Sequence, residues 1–185
     1  MRQAKTWVIS DTHFNHAGIV EGGFRPADHG ERTLKALQQL VQPADTLIHL
    51  GDVIFSRTSE LKAMLDTVAG RKLLVRGNHD RKLRWYQRNG FDAAVDALVI
   101  ARILFTHKPQ RDLPDWIDIN VHGHLHQNTH RTEEVEGVWW DNGGRHRLFT
   151  LEGLFAPVEL NDFLARTKSH EPARWWDTSN AATKS

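Results

Sequence analysis

The chain has 185 residues with a formal net charge of +1, 39% hydrophobic and 25% charged, which is ordinary for a soluble globular domain and offers no global field for nucleic acid or membrane. It has no cysteine, which excludes disulfides, thiolate metal sites and thiol nucleophiles together. Any metal must then be held by nitrogen and oxygen, and the 12 histidines are the first feature to explain.

"TWVIS" (6–10) predicts a buried strand ending on Asp11. The start "MRQAKTWVISD" carries no apolar core for a signal peptide, and no run of about 18 apolar residues could span a membrane, so a cytoplasmic, membrane-free protein is expected. "VEGGFRPADHGE" (20–31) reads as a Gly/Pro loop. "ERTLKALQQLV" (31–41) has apolar residues at helical spacing and is closed by Pro43. "TLIHL" (46–50) predicts a second strand, ending on Gly51-Asp52. "SELKAMLDTVA" (59–69) predicts a helix with Ser59 as cap and Gly70 as stop. "KLLV" (72–75) predicts a third strand running into "GNHD". This β-α-β-α-β order implies a parallel sheet with its ligand site at the carboxyl ends of the strands.

The second half reads as strands with short connections: "ALVIARILFTH" (97–107), "IDINVHGH" (117–124), "GVWWD" (137–141) and "HRLFTL" (146–151). They predict an antiparallel or mixed second sheet. A helix over 160–167 follows. One domain is expected over 1–167, with a loose polar tail over 168–185.

Polar residues gather at these strand ends. Residues two apart in extended chain face one way, so Asp11 with His13, and His124 with His126, can each aim two ligands at one point. With Asp52, Asn78 and His107 they make seven nitrogen and oxygen donors, too many for one tetrahedral zinc and suited to two divalent cations sharing a carboxylate. His122 shares a side with His124 and His126, and spacing alone does not exclude it.

The ordered motifs "DTH", "GD", "GNHD", the "TH" at 106–107 and "GHLH" resemble those of the calcineurin-like metallophosphoesterase superfamily, the small bacterial and phage members above all. Each motif is common alone; all five in order, each after a strand, are specific. The resemblance implies a four-layer α-β-β-α sandwich of two mixed sheets flanked by helices. It gives Asp11, His13 and His126 to one metal, Asn78, His107 and His124 to a second, and Asp52 to both. It keeps His79 off the metals and facing substrate, where it stabilises the phosphoryl oxygens or protonates the leaving alkoxide. Asp80 is expected to hydrogen-bond His79 and orient it. The implied reaction is hydrolysis of a phosphoester by in-line attack of a metal-bridging hydroxide, with phosphodiesters, nucleotide or nucleic-acid diesters among them, as the favoured substrates. Manganese is the metal expected, with iron, zinc, cobalt or nickel as alternatives.

Competing readings are a phosphomonoesterase, a non-catalytic interaction scaffold of the same fold, and a nucleic-acid-binding module with an incidental metal. His16, Arg25 and Arg81 are the candidate substrate contacts, with Arg76 and Arg84 beside them; a solvated helix face is the plainer account of the basic run 76–84. The 14–30 loop is a candidate for setting substrate choice. His49 reads as structural; His29, His130, His146 and His170 read as surface residues. Trp139-Trp140 fall in a strand, Trp116 is read as packing, and Trp175-Trp176 either fold back or meet a partner, a second copy included.

Overall fold

A computed structural model describes residues 2–55, 60–126 and 144–166. Ser59, the 137–141 strand with Trp139-Trp140, His130, His170 and the 168–185 tail with its tryptophans lie outside the described residues.

Four β-branched or apolar positions make β1 (Thr6–Ile9), which pairs in parallel with β2 (Thr46–His49). β2 pairs in parallel with β3 (Arg71–Val75), and β3 with β4 (Ala93–Val95). β9 (Val158–Glu159) joins the free edge of β1 antiparallel, giving the order β4-β3-β2-β1-β9. The second sheet has the order β5-β6-β7-β8: β5 (Leu98–Ile100), β6 (Ile103–Phe105), β7 (Ile119–His122) and β8 (His146–Leu148). Its first pair is antiparallel and the other two are parallel. Both sheets are therefore mixed, as the resemblance implied.

One core joins them. Val8, Ile9, Leu47, Ile48 and Leu74 from the first sheet share a buried cluster with Phe105 and Val121 from the second and with Phe149 just after β8. Strands buried on both faces carry near-continuous apolar runs, which is why these segments lack alternation. The helices are α1 (Ala17–Glu21), α2 (His29–Leu40), α3 (Glu60–Asp66), α4 (Leu83–Arg88) and α5 (Leu160–Arg166). They bury Leu37 (α2), Leu61 and Leu65 (α3), Tyr86 (α4) and Phe163 (α5) in that core. No helix among the described residues is long and apolar enough to cross a membrane.

The segment 97–107 is two strands rather than one. Ala101 and Arg102 turn the chain with φ of 47° and 65°. Hairpin turns of this kind favour Asn or Gly, and neither stands there, so the turn has no sequence signal. The 20–31 stretch is not all loop either: α1 ends at Glu21 and α2 begins at His29. His29 and His146 are buried, not surface residues. The His29 ring nitrogens face the carbonyls of Pro26 and His13, and His146 Nε2 faces the carbonyl of Gln110.

Candidate metal centre

Register puts the strand ends side by side. Ile9 lies opposite His49, and the pairing runs on past both strands: Asp11 N–H donates to Gly51 O, His13 N–H to Asp52 O and Phe14 N–H to Val53 O. In the second sheet Gly123 N–H donates to His107 O, which sets the "GHLH" turn beside His107. Asp11, His13, Asp52, His124 and His126 all have left-handed backbone, with φ between 46° and 72°. Non-glycine residues rarely adopt it, and such strain collects where a site over-determines the chain.

The side chains form two clusters, Asp11 with His13 and His126, and Asp52 with His107 and His124. In the first, Asp11 Oδ1 is 3.8 Å from His13 Nε2 and 3.5 Å from His126 Nε2, and the two nitrogens are 3.3 Å apart. In the second, His107 Nε2 is 3.4 Å from Asp52 Oδ2, 3.2 Å from His124 Nδ1 and 3.0 Å from Asn78 Oδ1. Ligands about 2.1 Å from one cation stand about 3.0–3.4 Å from each other in octahedral or tetrahedral arrangement. The second cluster's spacings all fall in that range; in the first, 3.3 Å does, while 3.5 and 3.8 Å are slightly wider and too long for direct hydrogen bonds. Asp11 Oδ1, the oxygen that faces the histidines, is buried with no hydrogen-bond partner, so the donor set fits a metal. His124 and His126 go to different clusters, and His124 N–H donates to Asp11 Oδ2, which ties the two together.

Neighbours set the imidazole tautomers. His107 Nδ1 lies 2.7 Å from the Leu50 carbonyl, and His126 Nδ1 lies 2.7 Å from Glu152 Oε1. Each contact takes the Nδ1 proton and leaves Nε2 to face inward. Ser10 donates its hydroxyl to Asp11 Oδ2, leaving Oδ1 to face the histidines.

The electrostatics are strongly coupled. Burial alone would raise the Asp11 carboxyl, but the imidazoles of His126, His107 and His13, with the Ser10 hydroxyl, hold it far below the usual carboxylate range. Asp52 is also lowered against its burial, chiefly by His107. Burial pushes His13 down to about 3 and His124 to about 4. It opposes charge on His107 too, yet Asp52 and Asp11 raise that group to about 9. His126 is raised against burial by Asp11 and Glu152. The metal-free centre thus keeps protons where cations fit.

Residues 5–149 match the calcineurin-like phosphoesterase superfamily domain. The chain belongs to that superfamily. Among its relatives is an uncharacterized protein of Methanocaldococcus jannaschii, MJ1445, 33% identical over 141 residues, which are 69% of this chain and 73% of that protein. A similar solved structure is that of a protein of unknown function from Aquifex aeolicus, AQ665. It has a TM-score of 0.73 and 26% identity, and the match covers 88% of this chain and 99% of that one. The two clusters of this calcineurin-like domain use six of the seven expected ligands, and Asn78 borders the second through His107.

Other expected site residues divide. His79 is exposed, its ring 6.3 Å from that of His13, and its N–H donates to Asp52 Oδ1. Asp80 does not orient His79. Its carboxylate accepts from the N–H groups of Asp52, Val53 and Gly77 and from the Tyr86 hydroxyl, so it ties the "GNHD" turn to the Asp52 loop. Arg25 is not placed for substrate either. Its guanidinium has no exposed surface and is engaged by Glu152 and the Asp11 carbonyl beneath the site. His16 caps α1 by accepting from Ile19 N–H, and its ring lies at the rim beside His13 and Phe55. Arg81 lies 4.6 Å over the Trp85 ring, Arg76 pairs with Asp96, and Arg84 is exposed on α4.

His49 is buried, its Nε2 2.9 Å from the Thr12 hydroxyl, in the structural role expected. His122 is buried outside both clusters, edge-on to His146. Trp116 is 56% exposed and so is not a packing residue. Sequence reasoning missed Glu152, although it follows the "HRLFTL" strand as Asp11 and Asp52 follow theirs. It also missed Phe55, for which no polar pattern exists.

Proposed function

We propose that this chain is a dinuclear-metal phosphoesterase that prefers phosphodiesters. The observation that carries the reading is the pair of interleaved three-ligand clusters with the exposed imidazole of His79 beside them. Asp11, His13 and His126 would hold one divalent cation, Asn78, His107 and His124 a second, and Asp52 both. Bound there, the two cations supply a nucleophile at neutral pH and neutralise phosphoryl charge.

The chain's own residues do the rest. Asp52 is fixed for bridging, because Asp80 grips its backbone and His79 N–H anchors its Oδ1. His79 faces solvent at the mouth and can pass a proton to the departing alkoxide. Two observations favour diesters. An open groove of about 560 Å³ borders Asn78 and His107 and gives room to a second ester arm. A monoester's second negative charge calls for extra cations, and Arg25 and Arg76 are already paired with Glu152 and Asp96.

The test is to strip metal, restore manganese, and assay bis-p-nitrophenyl phosphate beside p-nitrophenyl phosphate. Turnover that needs metal and disappears in Asp52→Ala supports the reading; a higher kcat/KM for the first compound supports the diester preference. His79→Ala should lower kcat by about 10²–10⁴-fold. Silence with manganese, iron, cobalt, nickel and zinc alike would leave the interaction scaffold as the better account.

A further inference from the structure

Phe55 is 38% exposed; apart from Phe24, the other phenylalanines are buried. It stands at the mouth of the metal centre. Its ring centroid lies 5.1 Å from that of His13, 5.2 Å from that of His79 and 3.9 Å from that of His16. Three imidazoles thus pack around the ring, and part of the residue remains open to solvent. Its backbone is held: Phe55 N–H donates to Phe14 O, and Phe14 and Ile54 form a parallel bridge. A rigid, part-open aromatic next to a phosphoryl site is a stacking platform, because every nucleobase offers a π-face.

An open groove lies beside the same metal centre. It borders the second cluster, at Asn78 and His107, and its charged lining is Arg76, Lys108, Asp80 and Asp96, with Thr106 and Gln110 beside them. Phe55 borders the first cluster through His13. A phosphodiester has two ester arms, and the two surroundings differ: one aromatic, one polar with charges of both signs.

We propose that the substrate is a nucleoside phosphodiester whose base stacks on Phe55, with the second arm lying in the groove. This inference rests on the phosphoesterase reading above. Stacking of one base on one ring confers about ten-fold or more in affinity.

The test separates the two claims by measuring binding as well as turnover. Manganese-loaded protein is titrated calorimetrically with adenosine 5′-monophosphate and with ribose 5-phosphate, which lacks the base. Wild type should prefer the nucleotide by about ten-fold. Phe55→Ala should lose that preference and Phe55→Trp should keep it. Phe55→Leu retains the apolar bulk against His16 and guards against misfolding; it too should lose most of the preference. Equal affinity of wild type for both compounds, or a preference that survives in Phe55→Ala and Phe55→Leu, overturns the proposal. A base preference that depends on Phe55 in a protein without phosphoester turnover would support the stacking site and sink the phosphoesterase reading alone.

Discussion

Glu152 Oε1 lies 2.7 Å from His126 Nδ1 and also receives the buried guanidinium of Arg25. The carboxylate therefore fixes the His126 tautomer and balances a charge that has no route to water. Glu152→Ala should weaken metal binding at the first cluster by about 10–100-fold, the usual cost of losing such a partner. It should also cost about 3–5 kcal/mol of stability, since Arg25 is left buried and unpaired. Metal content after dialysis and urea unfolding check the two effects. Full metal loading in the variant would remove Glu152 from the centre.

Asp80 is acceptor-only and meets four donors: three backbone N–H groups and the Tyr86 hydroxyl. Asparagine replaces one oxygen with an NH₂ group. With the NH₂ in place of Oδ2 the Asp52 and Gly77 N–H groups face a donor; in place of Oδ1 the Val53 N–H does, while the Tyr86 hydroxyl can turn to accept. Asp80→Asn should lose about 2–4 kcal/mol and loosen the turn that carries Asn78 and His79. A residue that merely oriented His79 would leave stability intact and shift the pH–rate profile instead. Thermal unfolding of the variant decides between them.

The legible part of the molecule was the part that obeys local rules. The apolar runs before Asp11, Asp52 and Gly77 are strands because they are buried on both faces, and that is visible as a run of β-branched and aliphatic residues. The ligands were legible because their chemistry sits at strand ends in a fixed order. The misread residues depend on tertiary partners. Arg25 resembles a phosphate contact until Glu152, far along the chain, is found against it. Asp80 resembles an orienting carboxylate until the Asp52 backbone arrives from another strand end. The 101–102 turn was illegible for a different reason: the fold imposes positive φ on an alanine and an arginine.

Asp45 tests the stability side. It accepts from Lys5 N–H, Gln42 N–H, Trp7 Nε1–H and Arg2, joining the start of β1 to the approach to β2. Burial would raise its carboxyl, but the bonds from Trp7, Lys5 and Gln42 lower it from 3.8 to about 2. A depressed carboxyl contributes stability above its unfolded value and loses it as pH falls through the folded one. Asp45→Ala should therefore be less stable than wild type by about 2–3 kcal/mol at pH 7. The gap should begin to narrow below pH 3.8 and close near 2. Urea titrations across that range measure it. A gap independent of pH would assign the loss to packing.

His107 sets the pH dependence of metal uptake. In the metal-free protein Asp52 and Asp11 raise this imidazole to about 9 despite its burial, so it is protonated at neutral pH. Its Nδ1 proton is committed to the Leu50 carbonyl, and the proton that a metal must displace is on Nε2. The sign follows: below about 9 each unit of acid adds protonated competitor, and apparent affinity at the second cluster should fall about ten-fold per pH unit. Manganese binding at pH 7.5 should release about one proton from this residue, read by calorimetry in two buffers of different ionisation enthalpy. His107→Gln offers no such proton, so the slope should flatten as affinity drops. Metal binding by wild type with no proton release and no slope between pH 6 and 9 would mean that a neutral His107 already awaits the cation.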